Sequence, residues 1–120
     1  MNSYILEKRT SESIFYDLDC TNILDTNEII LSVTSVTSDQ EGLTFSAAAI
    51  NSVPVTFPDK VVAAVGKVIS TQIGGGIIPT PQVNQLYTIR AIFVTNANNT
   101  REATVLLNVT NIPVQTGRVV

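Results

Sequence analysis

Histidine and tryptophan are absent from this chain, and cysteine occurs once. Histidine is the side chain whose unperturbed proton affinity suits acid–base work near neutral pH. The acidic residues fall singly, so the sequence argues against an enzyme. Ser and Thr are plentiful, but none sits in a nucleophile turn with a base in view. A lone Cys20 excludes an internal disulfide and is expected to be a small apolar filler at a strand end. Charged residues make up 14% of the chain, against about 25% in a typical soluble domain. Lys8 and Arg9 are the one adjacent basic pair, and the net charge is −3. No basic stripe exists to neutralise phosphates, which argues against a nucleic-acid partner. No apolar run approaches the ~20 residues that span a bilayer, which argues against a membrane partner. The segment Met1–Arg9 lacks the apolar core of a secretory signal, so synthesis in a reducing cytoplasm is expected. The sequons at Asn98 and Asn108 then read as chance in a chain rich in Asn and Thr.

Val, Ile and Thr supply more than a third of the residues. Branching at Cβ favours the pleated surface of a sheet over a helix. Two alternating runs give the clearest pattern. Leu86–Thr95 places Tyr87, Ile89, Ala91 and Phe93 on one face, and Ala103–Val109 does the same with Ala103, Val105, Leu107 and Val109. The turn-formers Asn96–Thr100 lie between them, which predicts an antiparallel hairpin with one buried face. With low charge and a mean hydropathy of +0.27, such a sheet protein has apolar surface to spare, which hints at assembly.

The remaining punctuation predicts about seven strands. A short strand is expected at Ile14–Leu18, a turn at Asp25–Asn27, and a long strand at Glu28–Thr37. In that strand Ile29, Leu31 and Val33 share a face until a one-residue slip brings in Val36, the mark of a β-bulge. A loop follows, ending at Gly42. Leu43, Phe45, Ala47 and Ala49 then alternate, as do Val53, Val55 and Phe57, where Pro54 demotes the run to an edge. For Asp59–Gly74 two readings stand: a helix from an Asp59 cap, or a strand over Lys67–Ile73, which the alternation of Ile69, Thr71 and Ile73 favours. Gly74–Gly76 opens backbone geometry closed to other residues. Pro79 and Pro81 make Ile77–Gln85 a connection. The spacing suits an all-β fold, an immunoglobulin-like antiparallel β-sandwich over residues 13–110, with an N-terminal extension at 1–12 and a C-terminal tail at 111–120.

Chemistry-bearing residues read blandly. Asp17 and Asp19, with Asp25 nearby, could offer oxygens to calcium, but solvent exposure and capping of a strand end explain them better. The glycine triplet lacks the Lys-Ser/Thr that completes a phosphate cradle. Tyr87 is expected to pack inward with its hydroxyl on backbone. No cofactor, metal or small-molecule substrate is expected.

A resemblance rests on short segments in order. Asp17-Leu18-Asp19 ends a strand and Leu24-Asp25-Thr26-Asn27-Glu28-Ile29-Ile30 opens the next. Ile73-Gly74-Gly75-Gly76, Leu86-Tyr87-Thr88-Ile89, Val94-Thr95 and Arg101-Glu102 follow. Over Ile14–Val109 this order resembles small immunoglobulin-like virion proteins of tailed bacteriophages, of the fibre–tail adaptor type. Asn98-Asn99 stands where that family carries Asp-Gly, and Ile77–Gln85 lengthens the link after the glycines. The resemblance implies a structural role in a virion, linking tail, baseplate or neck to fibres. Its partners would be other virion proteins and copies of itself around a symmetric ring. Tyr4, Ile5, Leu6, Ile112, Val114, Val119 and Val120 in the extended ends would form the partner interface, so removing residues 1–10 is expected to leave the domain folded. A capsid decoration protein is the nearest rival. A glycan-binding sandwich ranks behind it, because the Asn96–Asn99 turn carries no aromatic.

Overall fold

A computed structural model describes residues 5–111 of the chain. The chain forms β1 (Leu6–Arg9), β2 (Ser13–Asp19), a 3-10 turn at Thr21–Ile23, β3 (Ile30–Ser38), β4 (Leu43–Phe45) and β5 (Ala49–Ile50). It continues as β6 (Val55–Thr56), β7 (Val62–Ala63), β8 (Val68–Gly75), β9 (Asn84–Thr95) and β10 (Thr100–Thr110). One sheet has the order β1-β10-β9-β3, and the second has β2-β8-β4 with β5 also on β8. With β4 and β5 taken as one interrupted strand, the two sheets hold seven strands, and the β6–β7 ribbon stands apart. This is an all-β sandwich with strand pairing of the immunoglobulin type. All its ladders are antiparallel except β1 on β10, which is parallel.

The two alternating runs form the expected hairpin. Ala103 faces Ala91, Val105 faces Ile89 and Leu107 faces Tyr87. Tyr87, Ile89, Ala91, Phe93, Leu107 and Val109 are all buried. Opposite them, Leu18, Ile69 and Ile73 come from the second sheet, and Cys20, Leu24 and Ile30 close the core toward the hairpin tip. Each large apolar side chain taken out of water contributes about 1.5–3 kcal/mol, so these stripes dominate the fold.

The Lys67–Ile73 strand reading holds, as β8, and no helix forms over Asp59–Gly74. Asp59 instead accepts a bond from the Val61 backbone N–H at 3.1 Å, which makes a local turn. Other expectations need correction. Ile29 and Leu31 do not face the core; Ile30 does. The β3–β9 register slips twice, between Ile30 and Ser32 and between Val33 and Ser35. Each slip inserts one residue, so the inward side chains Ile30, Val33 and Val36 recur every third position instead of every second. The Leu43–Ala49 alternation breaks at Ser46, whose N–H and hydroxyl bond Gln72, and Ala48 and Ile50 take the inward phase.

The N-terminal boundary is also corrected. Residues 6–9 are an integral strand, paired from Leu6–Leu107 to Arg9–Thr110. Leu6 packs against both halves of the core and so is not a free interface residue. Lys8 is buried, its ammonium donating to the Gly75 and Arg9 carbonyls. Arg9 and Glu12 close the turn into β2 through two hydrogen bonds, 3.1 and 2.7 Å long. Removing residues 1–10 would strip this strand from β10, so the expectation that the domain tolerates it is withdrawn.

At the end of the sandwich where β8 stops, Gly75 has φ +74°, and a Cβ there would stand 2.6 Å from the Gly42 carbonyl oxygen. Only glycine permits this approach. The Tyr87 hydroxyl lies beside it, accepting from the Ile77 N–H at 2.8 Å and facing the Ile77 carbonyl at 3.0 Å. The inward reading of Tyr87 is borne out. Tyr87→Phe removes the hydroxyl's bonds to the Ile77 N–H and carbonyl, and a lowered urea midpoint worth about 0.5–1.5 kcal/mol is expected with the fold retained.

Candidate functional site

The densest group of charged and polar side chains sits where the hairpin turns. Glu28, on the loop entering β3, is buried at 2% exposure. One carboxylate oxygen accepts from Arg101 Nε at 2.8 Å and from the Asp25 N–H at 3.0 Å. The other accepts from the Thr95 hydroxyl and from Asn99 Nδ2 at 2.9 Å. Arg101 also reaches Asp25, at 3.4 Å. The Arg101 and Thr95 hydrogen bonds, in that order, hold the Glu28 carboxyl down to about 2 against the opposing push of burial. The same bond to Glu28 raises the Arg101 guanidinium further.

Neighbouring polar groups are spent in the same way. Asn96 accepts from the Ile29 N–H at 2.9 Å and donates to the Asn27 carbonyl at 3.3 Å, tying the loop to the hairpin tip. Lys67 donates to the Asp25 and Thr26 carbonyls at 3.1 and 3.2 Å. Asn51 accepts from three successive N–H groups, Gly66, Lys67 and Val68, and donates to the Val53 and Ala64 carbonyls. Among the described residues no buried side-chain nitrogen or oxygen lacks a partner. Glu28 is ionised and saturated with donors, so near neutral pH it neither takes nor gives a proton. This cluster is a clamp between loop and hairpin.

The residues weighed for chemistry lie apart from it. Asp17 takes the Ser70 hydroxyl, and Asp19 takes the Thr21 N–H at 3.0 Å and hydroxyl at 2.6 Å, capping the end of β2. Among the described residues no three His, Cys, Asp or Glu side chains are placed to hold a metal. Cys20 is 1% exposed, and burial, with Asp19 adding to it, pushes its thiol up to about 12. A groove of about 600 Å³ opens between β3 and β4–β5, lined by Leu31–Val36, Phe45–Ala48 and Ile50. It carries hydroxyls and apolar groups and no titratable side chain.

Of the expected partner-interface residues, Ile5 is described and half exposed, and Leu6 belongs to the core. Tyr4, Ile112, Val114, Val119 and Val120 lie outside the described residues. Sequence reasoning passed over the clamp. Its members fall at turns with no periodicity, and a Glu before an apolar run reads as a solvated strand end. The signal present was Glu28 and Arg101 each bordering a turn, with Asn and Thr at both.

Because the Glu28 carboxyl is held near 2 in the folded chain against its ordinary 4.5, its contribution is present in full above about pH 4.5. It is lost as the pH falls toward 2. Urea midpoints measured from pH 2.5 to 6 should fall on acidification through this window. Glu28→Gln should be less stable at neutral pH and should lose much of that acid-side slope. An unchanged slope would assign it to other carboxylates.

A scan against models of protein families and a search of curated proteins matched nothing to this chain.

Proposed function

We propose that the chain is a non-enzymatic structural component of a tailed-phage virion, an adaptor that links tail, baseplate or neck to fibres. The observation that carries this reading is where the segments of the resemblance fall. Asp17-Leu18-Asp19 closes β2, Ile73–Gly76 closes β8, and Leu86–Ile89 opens the stripe of β9. These segments are the joints of the sandwich. Their polar groups serve it internally: Asp19 caps β2, and the Tyr87 hydroxyl holds the glycine turn's neighbour Ile77. A domain whose buried charges brace its own loops is suited to carry load as a spacer. Its role then lies in what its outer surfaces and its ends touch, namely other virion proteins and further copies of itself.

The ends most suited to that contact exclude β1. Removing residues 2–4, or residues 112–120, leaves every described strand in place. Both truncated chains should still fold, with the circular dichroism of a β-sheet protein and a cooperative melt, while losing incorporation into particles. Immunogold labelling of virions purified from cells that make the protein tests the location. Label at the junction of tail and fibres supports the adaptor. Label spread over the shell would make the chain a decoration protein, and particles free of label would sink the virion reading.

A further inference from the structure

The two outer faces of the sandwich differ. On the β2–β8 sheet, Phe15 is 68% exposed but stands beside Asp17, opposite Gln72 and Ser70, with Asp19 beyond. Two such faces brought together would oppose carboxylates. On the β1-β10-β9-β3 sheet, the outward positions of β9 are Leu86, Thr88, Arg90, Ile92 and Val94, alternating with the buried stripe. Across the ladder Leu106 stands opposite Thr88, and Glu102 opposite Ile92. Leu86 is 43% and Leu106 37% exposed, and Ile5, one residue before the inward Leu6, is 50% exposed. Charge near the middle of this face is the single pair Arg90–Glu102, 3.0 Å apart and about half exposed on both sides.

We infer that this face is the contact between two copies of the chain, packed sheet on sheet about a two-fold axis. The inference deepens the reading of the chain as an assembly component and needs no particular particle.

Three features favour a second copy as the occupant. The first is area. The β9–β10 ladder runs from Val94–Thr100 to Asn84–Thr110. At ~3.3 Å per residue and ~4.8 Å between strands, the four strands of this face offer about 570 Å². Two such faces bury about 1,100 Å², just above the roughly 1,000 Å² that a specific interface clears. The second is charge. Glu7 lies out on the β1 edge of this face, and the Arg90–Glu102 pair near its middle is neutral and self-complementary: a two-fold axis near the pair sets each copy's Arg90 against the other's Glu102. The third is the edge. The two bulges in the ladder of β3 with β9 bend this edge strand, which disfavours growth of the sheet sideways and leaves face packing as the route.

Sedimentation velocity of the full chain from about 1 to 200 μM, with circular dichroism as the check on folding, tests this. A concentration-dependent dimer is expected. Leu106→Lys should weaken it at least tenfold, whereas Phe15→Ser on the opposite face should leave it unchanged. Thr88→Arg, outward on the neighbouring strand, serves if Leu106→Lys does not fold. Arg90→Glu alone should weaken the dimer, and Arg90→Glu with Glu102→Arg should recover it. A monomer throughout the range overturns the inference, as does a dimer sensitive to Phe15→Ser and indifferent to both Leu106→Lys and Thr88→Arg. The outcome is separable from the virion reading. A dimer with this mutational pattern stands even if particles carry no label, and a monomer fails even if they do.

Discussion

The β9–β10 ladder is the constraint on which the rest of the sandwich depends. Its inward stripe presents Tyr87, Ile89, Ala91 and Phe93 beside Leu107 and Val109, all buried. Every other strand of that sheet pairs with one of these two: β3 along β9 and β1 along β10. The second sheet has no ladder to the first and is held mainly by apolar contact across the gap, with Leu18, Ile69 and Ile73 against the hairpin stripe and with side-chain bonds from Lys8 to Gly75 and from Tyr16 to Glu7 at the β1 edge. Hydrogen bonds set the register within each sheet, whereas loss of water contact joins the sheets. Shortening the hairpin stripe would therefore weaken both sheets at once.

The Glu28 clamp addresses a different problem. The chain must enter β3 beside the tip of the hairpin, and β3 carries two extra residues that loosen its ladder. Packing anchors the stretch Glu28–Ile30 at Ile30 alone, because Ile29 and Leu31 point outward. A carboxylate with four donors from Asp25, Thr95, Asn99 and Arg101 fixes it by direction. A buried ion pair is weak evidence of net stability, since desolvation offsets much of the attraction. Its value here is positional. Removing one partner leaves the other charge buried without compensation, which is why the clamp tolerates little change.

Much of the fold was legible because burial writes itself as periodicity. The hairpin, the β8 strand and the inward Tyr87 follow from alternation and turn chemistry alone. The misses share a cause. Leu6-Glu7-Lys8-Arg9 reads as a polar leader because an inward lysine mimics a solvated one; the Gly75 carbonyl that receives its ammonium lies 67 residues away in sequence. The double bulge in β3 converts a two-residue period into three, and the resulting Ile30, Val33, Val36 spacing matches no regular strand. Asn51 and Glu28 carry no periodic signal at all. Their importance comes from loop backbone that only the folded chain brings together.

Those internal ties also divide the surface. Polar side chains that elsewhere would face a ligand are turned inward here: Glu28 and Lys67 to the loop before β3, Asn51 to the start of β8, Lys8 to the glycine turn. What remains outward on the larger sheet is a mixture of apolar, hydroxyl and amide groups, with Glu7 at its β1 edge and with Arg90 and Glu102 neutralising each other near its middle. A chain with so little charge cannot keep every outer face strongly hydrated, and its edges are already shortened or bulged against strand addition. The smaller sheet keeps acidic residues around Phe15, so like charge guards that face. On the larger sheet the central acid Glu102 is held by Arg90, so this face is where association costs the least hydration of charge.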